Sequence, residues 1–222
     1  MRQCLRGAVL VCKWECASFF RAGGGSLLIY LALIPAWGWL MQSRITGSGA
    51  DYLWFLFFSV VVCGLFSSSV FTAERLSGAL ELLFLSGLSR ASILAGKTAF
   101  VSATSVLMGF FCYGFAVAVS SGSIRTYLLA RAISDIPLFA SACVMNTLFD
   151  AWLSFRLGNP RVISIVNLGA LMGIAMVGEG LRVFVPWSQW WAIVFFSALA
   201  VLFWIVTIRQ FRSEKMLKPV VY

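Results

Sequence analysis

The sequence predicts an all-α, polytopic membrane protein: six transmembrane helices, an N-terminal amphipathic helix at the membrane interface and a short helix on the cytoplasmic surface. Three observations predict it. First, 61% of the 222 residues are hydrophobic and only 11% are charged, whereas a soluble domain is about half apolar and a quarter charged. Second, the apolar residues fall into six runs, at 27–42, 51–72, 92–120, 126–150, 162–180 and 187–208, most of them near the ~20 residues that a bilayer requires. Third, the basic residues segregate to one side of those runs.

With the N-terminus in the cytoplasm, the inside segments hold Arg2, Arg6, Lys13, Arg21, Arg75, Arg90, Lys97, Arg156, Arg161, Arg209, Arg212, Lys215 and Lys218. The outside segments hold Arg44, Arg125, Arg131 and Arg182, a split of 13 to 4. Lys and Arg favour cytoplasmic loops and set the orientation. Both termini are therefore expected in the cytoplasm of a multi-pass protein of the cell membrane. The net charge of +9 is thereby read as topology. Nucleic acid is excluded as a partner, because no basic soluble patch could hold a duplex.

Residues 1–22 are too charged to insert. Leu5, Ala8, Val9, Cys12, Cys16, Phe19 and Phe20 share one face at helical spacing, with Arg2, Arg6 and Lys13 on its flank. This predicts an amphipathic helix on the inner leaflet, ended by Gly23, Gly24 and Gly25. Residues 23–210 form the six-span domain and 211–222 a basic cytoplasmic tail. The first span holds Pro35, and the third is long enough to project or tilt. Trp37, Trp39 and Trp54 are placed as interfacial anchors around the first outside loop, and Trp187, Trp190 and Trp191 at the outer start of the last span.

The chain has no His, which removes His-based acid–base catalysis, Ser-His-Asp triads and His metal ligands. Cys4, Cys12, Cys16, Cys63, Cys112 and Cys143 form no CxxC pair and supply no full zinc ligand set. No catalytic, cofactor-binding or metal residue is assigned, and the chain is not expected to be an enzyme. Within the membrane, Arg131 and Asp135 stand at i and i+4 on the outer half of the fourth span, where Pro137 ends or kinks the helix. An intramembrane charge is a functional candidate by default, although such a pair also neutralises itself. Asp150 and Arg156 are placed at the cytoplasmic interface, and Glu179 and Arg182 bound the last outside loop.

The segment FTAERLSGALELLFLSGLSRASILAGKTAF, residues 71–100, carries the most specific pattern. Glu74, Ser77, Gly78 and Glu81 share one helical face, opposite Leu76, Leu80 and Leu83. The expected element is a surface helix over 73–91 with an acidic, glycine-notched face toward the cytoplasm, suited to a soluble partner. In order, Glu74, Gly78, Leu80, Glu81, Leu83, Ser89, Arg90, Ile93, Leu94, Gly96 and Lys97 match the motif of the permease subunits of type-2 ABC transporters, which this segment resembles. Ala79 stands where that family has Thr, and Gly87 where it has Pro. Residues 153–166 look like the family's second cytoplasmic loop.

The resemblance implies a membrane-spanning permease subunit of an exporter, working as a homodimer or as a heterodimer with a related permease. It implies a coupling helix, with Glu74, Arg75, Gly78, Glu81 and Arg90 at the contact with a separate ABC ATPase subunit. Arg131, Asp135, Glu179 and Arg182 become candidates for the path or its outer gate. No cofactor is expected in this chain, and ATP belongs to the partner subunit. Residues 91–98, ASILAGKT, fit a relaxed Walker A string, but a P-loop needs a glycine-rich turn after a strand. Lys97 is instead read as snorkelling to the interface. Two alternatives are an integral-membrane enzyme acting on lipids, which the lack of His disfavours, and a membrane scaffold with the permease fold.

Overall fold

The structure, a computed structural model, describes residues 2–22, 32–40, 51–67, 70–71, 83, 85–157, 159, 162–163, 165–170, 173–174, 177 and 189–210. These are overwhelmingly helical. The long elements are α1 (Arg2–Ala22), α2 (Asp51–Ser67), α3 (Arg90–Val119), α4 (Gly122–Arg156) and α5 (Gln189–Gln210), and residues 32–40 add a shorter helical stretch. Among the described residues, three helical segments are long and apolar enough to cross a bilayer: Arg90–Val119, Gly122–Arg156 and Trp190–Gln210. They coincide with the third, fourth and sixth apolar runs. The second run appears as α2, of 17 residues. Of the first run residues 32–40 are described, and of the fifth residues 162–163, 165–170, 173–174 and 177.

Local chemistry sets the hairpin of α3 and α4. Gly87 takes φ +75°, a conformation cheap only for glycine. Ser89 then caps α3 by accepting from the Ser92 N–H at 3.2 Å. At the far end the Ser120 hydroxyl donates to the Ala116 carbonyl at 2.6 Å, and Gly122, with φ +59°, turns the chain into α4. Pro137 does not end α4, which runs unbroken for 35 residues; the ring removes one helical N–H and the neighbouring turns carry the helix on.

α4 is the hub and packs against α2, α3 and α5, while α1 packs along α3. Large aromatics fill the centre. Phe58 of α2 stacks on Phe139 of α4 with centroids 5.4 Å apart, and Trp37 lies 4.6 Å from Phe58. Trp37 is thus a core residue rather than an interfacial anchor, because α2 supplies two Phe rings to receive it. Trp39, Trp190 and Trp191 stay exposed; Trp54 and Trp187 have no described side chains. Gly109 admits Phe139, since a Cβ there would sit 2.1 Å from the ring.

Candidate functional site

Of the sequence-predicted coupling residues, Glu74, Arg75, Gly78 and Glu81 lie outside the described residues, as do Glu179 and Arg182. Arg90 is described. It opens α3, exposed on the surface, rather than closing a helix over 73–91. Ser86–Ser89 form the break: the Ser86 hydroxyl donates to the Leu83 carbonyl at 2.6 Å, and Gly87 and the Ser89 cap do the rest. Leu83, Leu88 and Phe155 of α4 all pack against the buried pair formed by Val11 of α1 and Ile93 of α3. The end of the predicted coupling segment therefore joins a small apolar cluster to which α1, α3 and α4 each contribute.

Beneath that cluster, α1 and α3 run in the same direction. Ser89 approaches Cys4, Gly7 faces Ser92 and Leu88, Gly96 faces Ala8 and Val11, and Phe19 meets Phe100 at 6.0 Å. At the centre Lys97 donates to Glu15, with side chains 1% and 5% exposed. The Trp14 ring lies 5.8 Å from the ammonium. Lys97 therefore does not snorkel. Its stem is enclosed between two helices, and a carboxylate awaits it there, as a buried charge requires. The packed face of α1 is Cys4, Gly7, Val11, Glu15 and Phe19, turned from the apolar face read from the sequence. Beside Cys4, the hydroxyls of Ser92 and then Ser89 hold its thiol below the usual cysteine range. Burial raises that of Cys12.

A second polar group lies at the other end of the α3–α4 hairpin. Arg131 Nη2 donates to Asp135 Oδ1 at 3.3 Å and bonds the Tyr127 hydroxyl, its guanidinium 5.2 Å from that ring's centroid. Tyr113 of α3 bonds the Leu128 carbonyl at 2.7 Å and reaches Asp135 Oδ2 at 3.2 Å. Asp135 thus ties both helices together beside a cavity of about 20 Å3 that Gly109, Tyr113 and Phe139 help to line, room for about one water.

The third group centres on Asp150. It is 3% exposed, enclosed by the protein: the Ser67 hydroxyl donates to Oδ2 and Asn167 Nδ2 to Oδ1, each at 2.6 Å. One turn earlier Asn146 donates to Ser59 Oγ at 2.6 Å. Asp150 pins the end of α2 to the same end of α4 that carries Phe155. Arg156 remains exposed, 4.8 Å from the Trp152 ring centroid.

Sequence reasoning missed Glu15, Tyr113, Tyr127 and the Ser67–Asp150–Asn167 cluster. A lone acid on a basic helix was a signal for the first. Comparison with protein-family models gives no match for this chain, and neither does comparison with curated proteins.

Proposed function

We propose that the chain is the membrane-spanning permease subunit of an ABC-type exporter, with six spans, both termini in the cytoplasm and a second, identical or related permease completing the translocation path. A separate ATPase subunit binds and hydrolyses ATP. The observation that carries this reading is the eleven-residue match between Glu74 and Lys97. Two features support it. The end of that segment packs on the Val11–Ile93 pair of α1 and α3, which Phe155 of α4 also covers, so a push on it would reach the cluster that these helices share. Lys97, the would-be phosphate lysine of the Walker-like string, is enclosed with Glu15 and follows a helix cap rather than a strand. Within this reading Arg131, Asp135, Glu179 and Arg182 remain candidates for the path or outer gate.

The test reverses and blocks the acidic face. Glu81→Lys opposes like charges across the docking surface, which can cost several kcal/mol, and Gly78→Trp prevents close approach. Both variants should reach the membrane at normal levels, lose the ATPase subunit on purification from native membranes, and lose transport. Retained ATPase and retained transport in both, or ATP hydrolysis by the purified chain alone, would remove the reading's support.

A further inference from the structure

The packing of α1 on α3 fixes which of its residues face away, and those residues form an ordered surface. At roughly 100° per residue, Leu5, Val9, Cys16 and Phe20 fall in one stripe, and Leu5 and Phe20 are 69% and 64% exposed. Arg6 and Lys13 occupy the next stripe, both exposed. Beyond them come Leu10 and Trp14, 61% and 48% exposed. The cationic stripe is therefore bordered by apolar side chains on both edges.

Its depth follows from α3. Thirty residues make a helix of about 45 Å, against a hydrocarbon core of about 30 Å. About ten residues project. Gly7 lies against Ser92 and Glu15 against Lys97, so Arg6 and Lys13 stand beside the first two turns of α3, the stretch that projects if the surplus lies at this end. That part of α1 is thus held at the level of the lipid headgroups.

We infer that the Arg6–Lys13 stripe of α1 is a binding surface for acidic phospholipids of the inner leaflet. It rests on reading α1 as an interfacial helix. The phosphodiester meets the two cations, and the acyl chains lie along Leu5, Val9 and Phe20. Two charges placed on a rigid, outward-facing stripe recognise a lipid with net negative charge over a zwitterionic one, because a choline headgroup presents its own cation.

The full chain is placed in nanodiscs of phosphatidylcholine with phosphatidylglycerol as the minor lipid, and the lipids it keeps on release are counted by native mass spectrometry. Wild type should keep phosphatidylglycerol above its bulk share. Arg6→Gln/Lys13→Gln should lower that preference roughly thirtyfold, at about 1 kcal/mol for each of the two cations, while Arg209→Gln on α5 should leave it unchanged. Should the double variant fail to assemble, salt decides on the wild type: the preference should collapse near 1 M, where the screening length is about 3 Å. Bulk-ratio lipid on wild type, a preference that survives the double substitution, or one indifferent to salt overturns the proposal. So does displacement by soluble glycerol phosphate, which would mark a free phosphate ester as the ligand. A chain that does not remain in the nanodisc defeats the membrane reading itself, whereas a retained chain with bulk lipid defeats this proposal alone.

Discussion

Lys97 and Glu15 each lose nearly all contact with solvent between α1 and α3, and each compensates the other's buried charge. Breaking such a pair by removing one partner costs about 3–5 kcal/mol, whereas replacing a buried pair by packed apolar residues is often neutral. Lys97→Ala or Glu15→Ala should therefore lower the thermal unfolding midpoint of the detergent-solubilised chain sharply. Glu15→Leu/Lys97→Met should recover most of the loss. Equal, additive effects from both singles and the double would show that the pair is solvated and α1 loosely held. The sequence displayed half of this arrangement. Glu15 follows Cys4, Gly7 and Val11 at helical spacing, but the bulkier Leu5, Val9 and Phe20 pointed to another face as the apolar one. Its partner, 82 residues away, was not legible, because a lysine beside apolar neighbours reads equally well as reaching for water.

At the scale of elements, helix identity was legible wherever a long apolar run dominated, as in α3, α4 and α5. Caps sharpened the bounds, and Ser89 and Gly87 place the start of α3 within two residues of the run's own start. Rotation about the helix axis was not legible. α1 packs through the small residues Gly7 and Ala8, because close backbone approach outweighs side-chain hydrophobicity on that face. Three helical glycines test this. A Cβ at Gly96 would meet the Ala8 carbonyl at 2.6 Å, and one at Gly109 the Phe139 ring at 2.1 Å, while Gly114 has nothing within 4 Å. Gly114→Ala should be neutral or stabilise by up to about 1 kcal/mol through helix propensity. Gly96→Ala and Gly109→Ala should destabilise by about 1–3 kcal/mol through overpacking. Thermal unfolding of the three variants reads the contrast, and equal shifts at Gly96 and Gly114 would mean that α1 does not approach α3 so closely.

Across the whole molecule, the contacts gather basic residues at one end. Phe155 near the end of α4 packs on the cluster that includes Ile93 in the first turn of α3, so Arg90 and Arg156 share that end. Arg156 Nε reaches Gln210 Oε1 at 3.4 Å, which brings Arg209 of α5 there too. α1, with Arg6 and Lys13, packs on the same end of α3. At the opposite end of the hairpin, Arg125 follows the Ser120–Ser121 turn. Among the described residues, positive charge therefore gathers at the end that the proposed orientation puts in the cytoplasm. Single cysteines on a background lacking Cys4, Cys12, Cys16, Cys63, Cys112 and Cys143 test it. Ser121 and Ser86 are both exposed turn residues at opposite ends of α3. In intact cells a membrane-impermeant maleimide should label Ser121→Cys directly and Ser86→Cys only after permeabilisation. Labelling of Ser86→Cys from outside would invert the molecule, move the predicted coupling face away from the cytoplasm, and leave an ATPase nowhere to dock.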